Sequence, residues 1–177
     1  VPVIAGVYCE GSLEGQRIAR MATEQGASAL LVFPSGIYTF GQRPEMAVEH
    51  FRRIADATDL HLIIFQYPPA GGQGYPLATL ERICDEVPTV RAIKDWCANP
   101  QLHDRQIRRL QSRARPVNVL TTHSAWLFSS LVLGCNGLLS GSGSVIADLQ
   151  AQLFRAVRSD DLFALLHERD EPAAATW

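Results

Sequence analysis

An α/β protein built on a parallel sheet is the fold class this sequence predicts, and three observations predict it. Six short aliphatic runs alternate with segments of helical period. The runs begin every 20–33 residues, about the length of one β/α unit. Within each run the apolar residues do not alternate with polar ones, which is the pattern of strands covered on both faces.

Residues 1–7 supply the first strand. Ser12 is placed as the N-cap of a helix that carries Ile18, Met21 and Ala22 on one face and stops at Gly26. A second strand covers 29–33. Pro44 suits a first helical position, ahead of Glu45 and an apolar stripe of Ala47, Phe51, Ile54 and Ala55. Further strands are expected over 62–65, 90–94, 117–121 and 137–140, with helices over 77–86, 101–113, 124–133 and 145–157. The last helix aligns Ile146, Leu149, Leu153 and Val157. Another helix at 160–169 follows without a strand, so one domain is expected over 1–169 and a frayed tail over 170–177. Two architectures accept six such units: a doubly wound open sheet, or a (β/α)8 barrel two units short. The chain opens on Val1-Pro-Val-Ile-Ala-Gly6, inside a core strand, which favours the barrel and an incomplete chain.

Charge and composition exclude several classes. The net charge of −2 gives no basic surface for nucleic acid or an anionic membrane. No apolar run reaches the roughly 18–20 residues that span a bilayer. Cys9, Cys84, Cys97 and Cys135 are scattered without a C-x-x-C pair, so they read as reduced thiols of a cytoplasmic protein. His50, His61, His103 and His167 lack partners at ligand spacing, and neither a metal nor a cofactor is expected.

Both parallel architectures put their sites at strand C-terminal ends. In order, those ends read Tyr8-Cys-Glu10, Pro34-Ser-Gly36, Phe65-Gln-Tyr-Pro68, Lys94-Asp-Trp96, Thr121-Thr-His123 and Ser140-Gly-Ser-Gly-Ser144. Lys94 is the only lysine beside fifteen arginines, and it ends a buried strand. Burial there disfavours the ammonium and frees the amine as a nucleophile. The alternative is a structural lysine paired with a carboxylate. Gly141-Ser-Gly-Ser144 can be either an anion cradle of backbone N–H groups or a tight β–α turn.

Ile93-Lys94-Asp95 resembles the I-K-[DE] strand of the dihydrodipicolinate synthase/N-acetylneuraminate lyase superfamily. Val1-Pro-Val-Ile-Ala-Gly6 is similar to its third strand, Leu31-Val-Phe-Pro34 to its fourth, and His50-Phe-Arg-Arg-Ile-Ala55 to the following helix. Ile63-Ile-Phe-Gln-Tyr-Pro68 stands in the place of its Tyr-Asn-x-Pro strand end, and Gly134-Cys-Asn-Gly-Leu-Leu-Ser140 resembles its eighth strand. The resemblance implies a (β/α)8 TIM barrel of which family strands 3 to 8 are present; the family's first two strands, with the Gly-Thr-Thr/Ser-Gly-Glu motif that cradles the substrate carboxylate, are absent from this sequence. It implies an aldolase-type lyase or dehydratase in which Lys94 forms a Schiff base with pyruvate or another 2-keto acid. It also implies a homo-oligomer, dimer or tetramer.

Two departures follow from the same resemblance. Phe65 stands where the family has a proton-relay tyrosine, and Tyr67, two residues on, is the candidate substitute. Tyr38 is the candidate for the tyrosine lent across a subunit interface. Pro68-Pro-Ala-Gly-Gly72 has no arginine for a second carboxylate, so dihydrodipicolinate synthesis itself is not expected. Phe65, Thr122, His123, Leu139 and Ser140 are the expected substrate-lining residues, with helix entry the alternative for His123. The rivals are a barrel that binds a keto or sugar acid without catalysis, and a nucleotide-binding domain. The second lacks any G-x-G-x-x-G or P-loop.

Overall fold

A computed structural model describes residues 1–159. The expected helix at 160–169 and the tail at 170–177 lie outside the described residues. Strands β1 (Ile4–Val7), β2 (Ala29–Val32), β3 (His61–Gln66), β4 (Val90–Asp95), β5 (Asn118–Thr121) and β6 (Gly137–Leu138) alternate with helices α1 (Ser12–Glu24), α2 (Pro44–Ala55), α3 (Leu77–Glu86), α4 (Pro100–Gln111), α5 (Leu127–Val132) and α6 (Gly143–Arg158). All pairings are parallel and the sheet order is β1-β2-β3-β4-β5-β6. That order decides the architecture. Right-handed crossovers between successive neighbours put every helix on one side, as in a barrel wall, whereas a doubly wound sheet reverses order midway. The six units form a partial barrel, with β1 and β6 each paired on one side only among the described residues.

Burial separates the two faces. Val7, Leu30, Val32, Leu62, Ile64, Ile93 and Val119 point at the helices and are fully buried or nearly so. Each such side chain contributes roughly 1.5–3 kcal/mol by leaving water. Gly15 lets α1 approach α2, since a Cβ there would stand 3.0 Å from two side-chain carbons of Ile54.

Several helix starts differ from the sequence expectation for local reasons. Gly11, not Ser12, takes the N-cap position of α1, and the Ser12 hydroxyl instead pairs with His50 Nδ1 at 3.0 Å. Asn99 caps α4 by accepting the Leu102 N–H at 2.8 Å, so that helix begins at Pro100. A 3-10 turn over Ser124–Trp126 takes the first residues expected of the fifth helix.

Strand β4 carries the feature that matters most. Its register against β3 slips between Leu62 and Ile63, so Leu62 faces Val90 while Ile63 faces Ala92. Arg91 is the extra residue. Strand side chains alternate faces, so this slip turns Lys94 to the concave side, opposite Phe65, and Asp95 to the helices. Without it, Lys94 would point into the helical layer.

Candidate functional site

The concave side of the strand C-terminal ends collects Tyr8, Phe33, Phe65, Tyr67, Lys94, Trp96 and Thr122, each out of phase with a buried neighbour that faces the helices. The Lys94 ammonium lies 4.3 Å from the centre of the Phe65 ring. It makes no ion pair among the described residues. Burial without a counter-charge lowers its pKa from the ordinary lysine value, because desolvation penalises the ammonium. The structural alternative, a lysine neutralised by a carboxylate, is not what the described residues form.

Tyr67 shares the face of Phe65, and the two rings meet edge to face at 4.8 Å. Burial, then the neighbouring Tyr8, raises the Tyr67 pKa. The chain is held there by the loop behind it. Gln66, fully buried on the helix side, donates to the Tyr75 carbonyl at 2.8 Å and accepts the Tyr75 N–H at 2.9 Å. Gly74 passes so close that a Cβ would lie 2.1 Å from the Tyr67 carbonyl oxygen.

The other expected residues fall elsewhere. Tyr38 is buried in the hydrophobic core, 6.1 Å from the Tyr75 ring, and burial pushes its phenol up to about 12. A tyrosine lent to a partner needs an exposed hydroxyl, and Tyr38 does not present one. Thr122 is on the concave side and donates its N–H to the Asp95 carbonyl. His123 lies behind it: Nε2 accepts the Ala98 N–H at 3.1 Å, which leaves Nδ1 as the donor, 3.4 Å from Thr121 Oγ1. Its ring walls a cavity while both nitrogens are engaged. Burial depresses its pKa to about 4. Leu139 continues the strand ladder through its N–H to the Thr121 carbonyl. Ser140 bonds the hydroxyl of Ser142 at 2.8 Å, within a set that includes Ser124 and Gln150. The Gly143, Ser144 and Val145 N–H groups are taken by carbonyls of residues 140–142, so the glycine–serine segment is a tight β–α turn.

One cluster escaped the sequence reading. Behind Lys94, Asp95 is fully buried and accepts four donors: the Cys97 N–H at 2.8 Å, the Cys97 thiol at 3.5 Å, His103 Nδ1–H at 2.5 Å, and the Gln106 amide at 2.8 Å in the orientation that satisfies both groups. His103 and Gln106 occur on the buried stripe of α4 with Ile107 and Leu110. Two polar residues on an apolar stripe were the available signal. Oxygen, sulfur and nitrogen atoms of Asp95, Cys97 and His103 lie within 4.8 Å of one another, a metal-type ligand set. A tetrahedral ion needs its ligands more than 3 Å apart, yet a proton already joins Asp95 and His103. Desolvation pushes the Cys97 thiol up to about 12, which keeps it protonated. The cluster is built as a hydrogen-bond network.

Comparison with known proteins adds four findings. A family model described as the dihydrodipicolinate synthetase family matches residues 1–172. A 4-hydroxy-tetrahydrodipicolinate synthase of Gluconacetobacter diazotrophicus is 32% identical over 158 residues, covering 88% of this chain and 51% of that protein. The crystal structure of YagE, a prophage protein of Escherichia coli K12 in complex with pyruvate, superposes with a TM-score of 0.84 at 23% identity, over 93% of this chain and 54% of that one. A monomeric dihydrodipicolinate synthase variant superposes at 0.82 and 23% identity, over 93% and 54%. The chain thus spans about half the length of the relatives it matches.

Proposed function

The chain belongs to the dihydrodipicolinate synthetase family, and on that premise we propose that Lys94 is the Schiff-base nucleophile of a lyase or aldolase acting on pyruvate or another 2-keto acid. The observation that carries this reading is the Lys94 ammonium, without an ion pair among the described residues, turned to the concave side by the β4 bulge and with its pKa lowered by burial. The pyruvate-bound relative supports the substrate class. In this reading the neutral amine attacks the keto carbon, water leaves, and the iminium draws electrons from the adjacent carbon to form an enamine. Phe65 packs beneath the imine and excludes water, and it can neither give nor take a proton. Tyr67 is the proposed proton donor and acceptor, with Thr122, Leu139 and Ser140 lining the approach. No cofactor enters the scheme.

A homo-oligomer, dimer or tetramer, is part of the same proposal. It is supported by Phe40 and Ile37, which stay exposed on the turn that carries Tyr38. A cytoplasmic location is supported by four free cysteines. Among the described residues no helix is long and apolar enough to cross a membrane.

Methyl-proton exchange of pyruvate in deuterium oxide, followed by NMR, tests the chemistry. Enamine formation washes deuterium into the methyl group, Lys94→Met abolishes the exchange, and Tyr67→Phe slows it by about 100-fold. Exchange that persists in Lys94→Met rules the reading out.

A further inference from the structure

The concave face carries more aromatic surface than a keto acid requires. Tyr8, Phe33, Phe65, Tyr67 and Trp96 form an unbroken edge-to-face chain with centroid separations of 5.5, 5.0, 4.8 and 5.4 Å. The chain follows the rim from β1 to β4, and Lys94 reaches over its central ring. Trp96, at its end, is 44% exposed and walls a cavity of about 400 Å³ with Thr122, His123 and Trp126. That volume falls within the ordinary range for small-molecule sites. Trp96 follows Lys94 by two residues, about 6.6 Å along the strand direction. A group attached beyond the reacting carbon of lysine-bound pyruvate would therefore extend towards the indole.

The lining decides what that group can be. Among the described residues, no lysine, arginine, aspartate or glutamate lines the cavity. Its one titratable wall, His123, is neutral at pH 7 with both nitrogens already bonded inside the protein. A carboxylate or phosphate on the second reactant would find no cation there, and a polyhydroxylated chain would lose water bonds to indole faces. A flat apolar group gains edge-to-face contacts with the same surface.

Resting on the Lys94 reading, we propose that the second reactant is an aldehyde bearing an aryl group, which packs between Trp96 and Trp126. The reaction balances without a redox partner. The Lys94 amine forms a C–N bond to C2 of pyruvate, and the keto oxygen leaves as water. A C3 proton passes through Tyr67 to solvent, and its electron pair forms the enamine. C3 then bonds the aldehyde carbon, whose oxygen takes a proton back through Tyr67. Water hydrolyses the iminium, returning the amine and releasing a 4-aryl-4-hydroxy-2-oxobutanoate.

The test pairs pyruvate with benzaldehyde or glyceraldehyde in the purified protein and in Trp96→Ala and Trp96→Phe, with borohydride trapping of pyruvate run beside each. The expected result is a kcat/KM at least about tenfold higher for benzaldehyde, a KM for it raised about tenfold by Trp96→Ala, and recovery in Trp96→Phe, with trapping intact throughout. Trapping with equal or reversed preference, or a preference that survives Trp96→Ala, overturns the aryl proposal and leaves the Lys94 reading standing. If pyruvate is not trapped, the Lys94 reading falls. The aryl site is then judged separately by saturation-transfer NMR with benzyl alcohol, which cannot form an imine. Binding weakened in Trp96→Ala supports the site, and absence of binding overturns it.

Discussion

Replacing Asp95 with alanine should cost the fold about 4 kcal/mol. Asp95 is fully buried and accepts the Cys97 N–H, the His103 Nδ1–H and the Gln106 amide. Truncation strands three buried N–H donors, each worth roughly 1–3 kcal/mol when unpaired. The low half of that range applies because the deleted carboxylate leaves room for a bridging water. For a domain of this size, 4 kcal/mol lowers Tm by roughly 8–16 °C. Asp95→Asn separates charge from shape. Its carbonyl still accepts the Cys97 N–H, while its amide can donate to His103 once the imidazole moves its proton to Nε2, a nitrogen that is buried without a partner. Gln106 must rotate its amide, so the cost falls to roughly 2 kcal/mol. Equilibrium unfolding in urea, with the slope m compared between variants, measures both. An Asp95→Ala protein within about 1 kcal/mol of the parent, or an Asn variant as damaged as Ala, would refute the network as described.

Three further outcomes follow from the same geometry. Gly74→Ala would place a Cβ 2.1 Å from the Tyr67 carbonyl oxygen, so the loop must shift at a cost of roughly 1–3 kcal/mol; parental urea stability would contradict the packing. His50 and His123 both have pKa values depressed by burial to about 4. The folded state binds fewer protons than the unfolded one at these sites, so stability is whole above pH ~6.5 and drains away as pH falls towards ~4, on the order of 3 kcal/mol for each fully shifted imidazole. Urea titrations between pH 7.5 and 4.5 should show that slope and a shallower one in His50→Gln, whereas unchanged stability across the interval would falsify it. Phe65→Tyr restores a hydroxyl beside Lys94 and should speed pyruvate methyl exchange by about tenfold or more; no change would show that Tyr67 already supplies the proton.

The fold was legible because parallel strands advertise themselves. The aliphatic runs at 29–33, 62–65 and 117–121 are buried on the helix side by every second residue and cannot be mistaken for surface. The choice of barrel over open sheet was not legible from the alternation of the runs, since it depends on spatial order, which alternation does not carry. The position of Lys94 at a strand end was readable, but the face it takes depends on the Arg91 bulge, and nothing in Val90-Arg-Ala-Ile-Lys94 announces one. Tyr38 was named from the resemblance alone, and its surroundings were not readable: the short 3-10 turn over Gly36–Phe40, capped by Ser35, folds its ring inward against Tyr75. The Asp95 network joins residues 8 and 11 positions apart, across a loop whose course sequence does not give.

Reductive trapping at Lys94 tests the central claim most directly. The protein is incubated with pyruvate, reduced with sodium borohydride, digested and mapped by mass spectrometry. A single adduct of one reduced pyruvate on Lys94 is expected, because the chain offers no other lysine. Trapping should increase with pH through an apparent pKa below the ordinary lysine value, since burial lowers that of Lys94 and only the neutral amine attacks. An unmodified Lys94 under conditions that trap pyruvate on an authentic aldolase would contradict the account.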